Sequence, residues 1–122
     1  MIPKFRVWDT VKKAMSEVQA IVYTEERVYP VYSKVIRRYI PFSEAVLMQS
    51  TGKMDSTGQV EVYVGDILYY PDQDEDNYGI IKFDEDKLAF VLDNGYERYI
   101  YGDYGMGKVI GNIYKNPELV EG

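Results

Sequence analysis

Turn-forming residues recur at short intervals along this chain, and that spacing limits its fold more than any other feature. Thr51-Gly52, Ser56-Thr57-Gly58, Gly65-Asp66, Asp93-Asn94-Gly95, Gly102-Asp103 and Gly105 with Gly107 leave room only for short elements between them. The residues between the turns are rich in Val and Tyr, whose stiff or flat side chains suit a pleated surface. Short strands joined by close turns predict an antiparallel barrel or sandwich. Val60, Val62 and Val64 alternate with polar residues and share one face of a predicted strand. Residues 67–70 form the next, halted by Pro71, which cannot donate to a ladder. Residues 78–83 and 88–92, joined by Asp84-Glu85-Asp86-Lys87, predict a hairpin with Leu88, Phe90 and Leu92 on one face. Residues 97–101 and 109–114 complete the set. Asn116-Pro117-Glu118 reads as a helix start, with Asn as cap and Pro in the first helical position.

The first half is less regular. Residues 4–9 read as a strand. Val11, Met15, Val18 and Val22 then fall at helical spacing, with Asp9 or Thr10 as cap, while residues 20–23 are equally suited to a strand. Periodicity does not separate the two. Residues 27–32 and 35–40 predict two more strands, the first at an edge because of Pro30. Polar residues and glycine concentrate in residues 50–58, where the seam of the chain is expected.

Composition excludes several chemistries. The 122 residues contain no Cys and no His. Disulfides, thiolate nucleophiles, zinc–thiolate sites and the commonest general base are therefore absent. Fourteen Lys and Arg against 20 Asp and Glu give a net charge of −6. That balance disfavours nucleic acid held through its phosphates and docking on anionic lipid. No apolar run approaches the roughly 20 residues of a membrane helix. The opening residues carry charge and lack an apolar signal core, so a cytoplasmic location is expected.

Three stretches, taken in order, resemble the YopX family of small bacterial phage and prophage proteins. They are Lys4-Phe5-Arg6-Val7-Trp8-Asp9; then residues 47–55, continuing through Gly58 to Val64-Gly65-Asp66-Ile67; and finally residues 109–119, which read I-G-N-I-Y-K-N-P-E-L from position 110. The resemblance implies a mainly β fold, a small barrel in the second half and assembly into homo-oligomers. It also tips residues 11–22 towards strand pairing. It carries over no catalytic residue, because no activity is established for the family.

Several stretches invite a chemical reading. Asp72-Gln73-Asp74-Glu75-Asp76-Asn77 begins like a calcium loop, but Asn77 stands where the EF-hand needs Gly and Phe83 where it needs Glu. A solvated loop is the expectation. Asp66, Asp84, Glu97 and Asp103 could pair as glycosidase carboxylates, but turn positions account for them. Gly102, Gly105 and Gly107 match no phosphate-binding pattern. Lys34, Arg37 and Arg38, flanked by Tyr32 and Tyr39, carry the ingredients of single-strand nucleic-acid binding. On a strand, however, Arg37 and Arg38 point to opposite faces. Thirteen tyrosines exceed what a small core absorbs, and Tyr is enriched at interface hot spots.

The sequence therefore predicts one mainly β domain with little helix. Residues 1–50 form an N-terminal β portion, 51–57 a connecting loop and 58–122 a barrel-like portion holding an SH3-like β-barrel. The expected function is a non-enzymatic, self-associating interaction module of phage or prophage origin, a homo-oligomer with a host or phage protein as a further partner. Protein contacts are assigned to Trp8, Tyr99 and Tyr101. A nucleic-acid accessory role using Lys34, Arg37 and Arg38 is the first alternative, and an enzyme using carboxylates the second. No cofactor and no metal is expected.

Overall fold

The computed structural model describes residues 2–31, 37–72, 75–102 and 107–120, and the side chains of these except 71, 72, 75 and 76. Eleven strands account for most of them: β1 (Phe5–Asp9), β2 (Ala14–Val22), β3 (Arg27–Pro30), β4 (Ile40–Pro41), β5 (Ala45–Met54), β6 (Glu61–Tyr63), β7 (Asp66–Asp72), β8 (Glu75–Asp84), β9 (Ala89–Asp93), β10 (Arg98–Ile100) and β11 (Lys108–Asn112). Single 3-10 turns occupy Phe42–Glu44 and Pro117–Leu119. Every strand pair is antiparallel. The chain divides into two compact units, Met1–Gln49 and Ser50–Gly122. β5 runs across the division, with its first five residues paired to β1 and Ser50 and Met54 paired to β6. Residues 51–54, expected in a loop, are thus strand.

In the first unit the strand order is β4-β3-β2-β1-β5. Val7, Val28 and Ile40 are buried together, with Val18, Phe42 and Ala45 packed on them. Residues 14–22 are strand and not helix. An extra residue at Gln19 shifts the β2–β3 register between Val18 and Ala20. The bulge puts Val18 and Ile21 on the same face, because Ile21 stands opposite the core residue Val28. The bulge therefore interrupts the strand period of two within this stretch. Pro30 lies beyond the end of β4, whose register stops at Arg27 and Val28, so no described neighbour there needs its missing N–H. Residues 37–39, expected in a strand, are irregular.

In the second unit the order is β10-β9-β8-β7-β11. Among the described residues this ladder has two ends and does not close, so the expected barrel is seen as an open five-stranded sheet. Val62, Leu68, Ile81 and Leu92 form the core, with Val64, Tyr70, Tyr101 and Val109 against it. Burying an aliphatic side chain such as Ile81 contributes roughly 1.5–3 kcal/mol. The predicted hairpin is β8–β9, with Phe83 opposite Phe90. Leu88 does not join Phe90 and Leu92, since it closes the turn at φ 50° and is 78% exposed. β7 does not stop at Pro71, which pairs with Asp76. β11 reaches only to Tyr69, so no described strand on that side meets the proline.

Of the three stretches that resemble the family, the first is strand β1, and the other two are built around turn and bulge devices. Asp55 accepts the backbone N–H of Thr57 at 3.0 Å and of Val109 at 3.1 Å. Gly58 lies close by at φ 73°. Asp66, buried, accepts the N–H of Tyr63 at 2.8 Å. Asn112 Oδ1 accepts from Tyr114 and Lys115, and Asn116 Oδ1 accepts from Asn112. A Cβ on Gly111 would lie 2.5 Å from Asn116 Oδ1, so this bulge excludes a side chain there. Asn116 therefore folds back on β11, with no side-chain cap on the 3-10 turn after it.

Candidate functional site

An accessible apolar surface lies at the open edge of the second sheet. All three residues of β10 are exposed. Tyr99 is 37% exposed, Ile100 42%, and Tyr96, in the turn leading into the strand, 95%. β10 is held on one side by β9, with Arg98 opposite Asp93, Tyr99 opposite Leu92 and Ile100 opposite Val91. The turn before it is fixed by Asn94 and Asp93. Asn94 Oδ1 accepts the N–H groups of Tyr96 and Glu97 at 2.9 and 2.8 Å, and Asp93 accepts that of Gly95 at 2.8 Å.

A charge network ties the same edge to the sheet. Arg98 reaches Asp84 and Asp93, each at 3.1 Å, and Lys82 reaches Asp93 at 3.1 Å. The backbone N–H of Lys87, then Arg98, hold the Asp84 carboxyl below its usual range. For Asp93 the N–H of Gly95 has the largest effect; burial opposes it, and Lys82 and Arg98 add to it, leaving the carboxyl lowered. Behind this turn lies a groove of about 400 Å³ lined by Tyr78, Ile80, Lys82, Asp93, Tyr96 and Leu119 among others.

The sequence-predicted contact residues separate. Tyr99 stands on this edge. Tyr101 is half-buried against the core. Its hydroxyl is enclosed, with no hydrogen-bond partner among the described residues, and burial, with the charges of Asp55 and Asp66, pushes it up from the ordinary tyrosine value. Trp8 is only 7% exposed, so it is an interior residue and not a surface contact. Tyr96 and Ile100 were not singled out by sequence. The Asp93-Asn94-Gly95 turn marks Tyr96 as a turn residue, while the place of β10 at the sheet margin follows only from the strand order.

Of the basic candidates, the two that are described do not act together. Lys34 lies outside the described residues, as do Tyr32, Asp74, Asp103 and Gly105. Arg37 turns inward and grips Asp9 with Nε and an Nη, both at 2.8 Å, and reaches Glu44 at 3.0 Å. Arg38 is exposed. Of the carboxylates weighed as catalytic, Asp66 and Asp84 accept backbone N–H groups of their own turns, and Glu97 accepts the Tyr99 hydroxyl. Among the described residues, no three Asp or Glu side chains come together to hold a metal ion.

These observations define a two-unit antiparallel β protein with an accessible, partly apolar sheet edge. Compared with known proteins, residues 4–121 match the family described as YopX protein. The chain belongs to the YopX family. It is similar to protein EF1440 of Enterococcus faecalis in crystal structure, at 30% identity and a TM-score of 0.72 over 99% of each chain. It is also similar to the crystal structure of protein yopX from Bacillus subtilis, at 24% identity and a TM-score of 0.67, covering 98% of this chain and 96% of that one. The second likeness is one of fold alone. No curated protein matches. No helix among the described residues is long and apolar enough to cross a membrane.

Proposed function

We propose that the chain is a non-enzymatic interaction module that associates with copies of itself, acting in the bacterial cytoplasm during the life of a phage or prophage. The setting rests on the family resemblance. The association rests on one observation, a sheet edge whose three strand residues are all exposed, with Tyr99 and Ile100 among them. An aromatic and an aliphatic side chain on a strand with one open side supply both the apolar area and the backbone donors that protein contacts use. The nucleic-acid alternative loses support because Arg37 is engaged with Asp9 and Glu44. Light scattering across a concentration series tests the proposal. A mass above one subunit at high micromolar concentration is expected, and a strictly monomeric solution would overturn it.

A further inference from the structure

The register of β10 indicates what could pair with it. Asn94 N–H donates to the Glu97 carbonyl at 3.2 Å and Tyr101 N–H to the Phe90 carbonyl at 2.8 Å. Antiparallel pairs alternate between hydrogen-bonded and open positions. With Arg98, Tyr99 and Ile100 opposite Asp93, Leu92 and Val91, residues 97, 99 and 101 turn their backbone groups towards β9. The N–H and C=O groups of Arg98 and Ile100 therefore face the open side, where no described strand pairs with them.

Exposed strand edges are usually blunted by short length, proline, lysine or a bulge. The other margins of the described sheets follow that rule. β4 has two residues, one of them Pro41. β6 has three, one of them Glu61. β11 begins with Lys108 and carries a bulge between Val109 and Gly111. β10 is short, but residues 96–102, Tyr-Glu-Arg-Tyr-Ile-Tyr-Gly, contain neither Lys nor Pro. Its single cation, Arg98, is drawn onto its own sheet by Asp84 and Asp93.

We infer that β10 pairs antiparallel with β10 of a second copy, across a two-fold axis at Tyr99. This rests on the self-association proposed above and names its surface. The argument for a second copy is self-complementarity. With the axis at Tyr99, Arg98 stands opposite Ile100 of the second copy, and the outward groups of both residues are satisfied twice over. The axis at Arg98 would oppose two like charges, which destabilises a sheet pair. The axis at Ile100 would leave Arg98 opposite Gly102. The Tyr99 axis uses both outward residues and keeps the two arginines apart.

The chain has no cysteine, so a single introduced thiol reports this geometry. Tyr99 becomes an open pair with its own copy, whose Cα atoms lie about 4.5 Å apart, within disulfide reach. Tyr99→Cys should convert to a covalent dimer on mild oxidation. Ile100→Cys, about 7–8 Å from its copy on the diagonal, should convert far less. Ile100→Pro removes an outward N–H and leaves the β9 pairing intact, so it should weaken association about tenfold or more. If the native chain scatters as a monomer, the self-association reading fails and this inference with it. If the native chain associates, yet Tyr99→Cys does not cross-link and Ile100→Pro associates as well as the native chain, the surface is wrong and the reading survives.

Discussion

The turn after β1 and the turn after β8 are the same device built twice. Each begins at an aspartate at a strand end, Asp9 or Asp84, whose carboxylate accepts the N–H groups two and three residues on: Val11 and Lys12 at 3.0 and 3.1 Å, and Asp86 and Lys87 at 2.9 and 3.0 Å. Each closes on a residue with positive φ, Lys13 at 54° or Leu88 at 50°. Each carboxylate then takes an arginine, and here the two differ. Arg37 comes from 28 residues away, grips Asp9 with two nitrogens and also reaches Glu44. Arg98 comes from the edge strand two positions across the sheet and shares itself between Asp84 and Asp93. The first arginine is consumed in closing the fold. The second ties the edge strand to its own sheet. A basic residue in this chain is thus defined by the carboxylate it meets and not by its neighbours in sequence.

The largest expected effect comes from breaking the inner pair. Asp9→Ala removes the four hydrogen bonds its carboxylate accepts at a buried site and leaves Arg37 with Glu44 alone. It should cost about 3 kcal/mol in urea unfolding. Asp84→Ala removes three hydrogen bonds, one of them from the more exposed Arg98, and should cost clearly less. Equal losses at the two sites would erase the distinction drawn here.

Acid should act on both. At Asp9, burial raises the carboxyl, but Arg37 and the N–H groups of Lys12 and Val11 outweigh it and leave the value lowered. Asp84 and Asp93 are lowered as well. Groups held below their unfolded value of about 3.9 stabilise the fold fully above it and cease to do so as pH falls through the folded value. The urea midpoint should therefore hold steady from pH 7 to about 5 and fall below about 4. Asp9→Ala should show a shallower fall. An unchanged acid limb in that variant would contradict the assignment.

The smallest effect lies in the turns themselves. Leu88→Gly and Lys13→Gly each relieve a non-glycine residue at positive φ, and should raise stability by about 1 kcal/mol, read from thermal unfolding. A gain at one site and a loss at the other would show that the turns are not equivalent.

Much of this was legible in the sequence, for local reasons. The β8–β9 hairpin came from alternation flanking a four-residue turn. Leu88 was misplaced because period two was carried one residue into that turn. Residues 11–22 were ambiguous because the bulge at Gln19 breaks the period, and no property of Gln19 itself announces a bulge. β7 ran past Pro71 because what matters is whether a neighbour needs the missing N–H. At the candidate site, Tyr99 was legible from strand pattern and residue type. Trp8 and Arg37 were not, since the burial of one and the pairing of the other with Asp9 depend on contacts distant in sequence.

Amide hydrogen exchange across a dilution series measures the edge most directly. The account predicts that Arg98 and Ile100 N–H groups are protected only at concentrations where the chain associates, while those of Tyr99 and Tyr101 stay protected throughout. Arg98 and Ile100 exchanging equally fast at every concentration, in a sample that scatters as an oligomer, would contradict it.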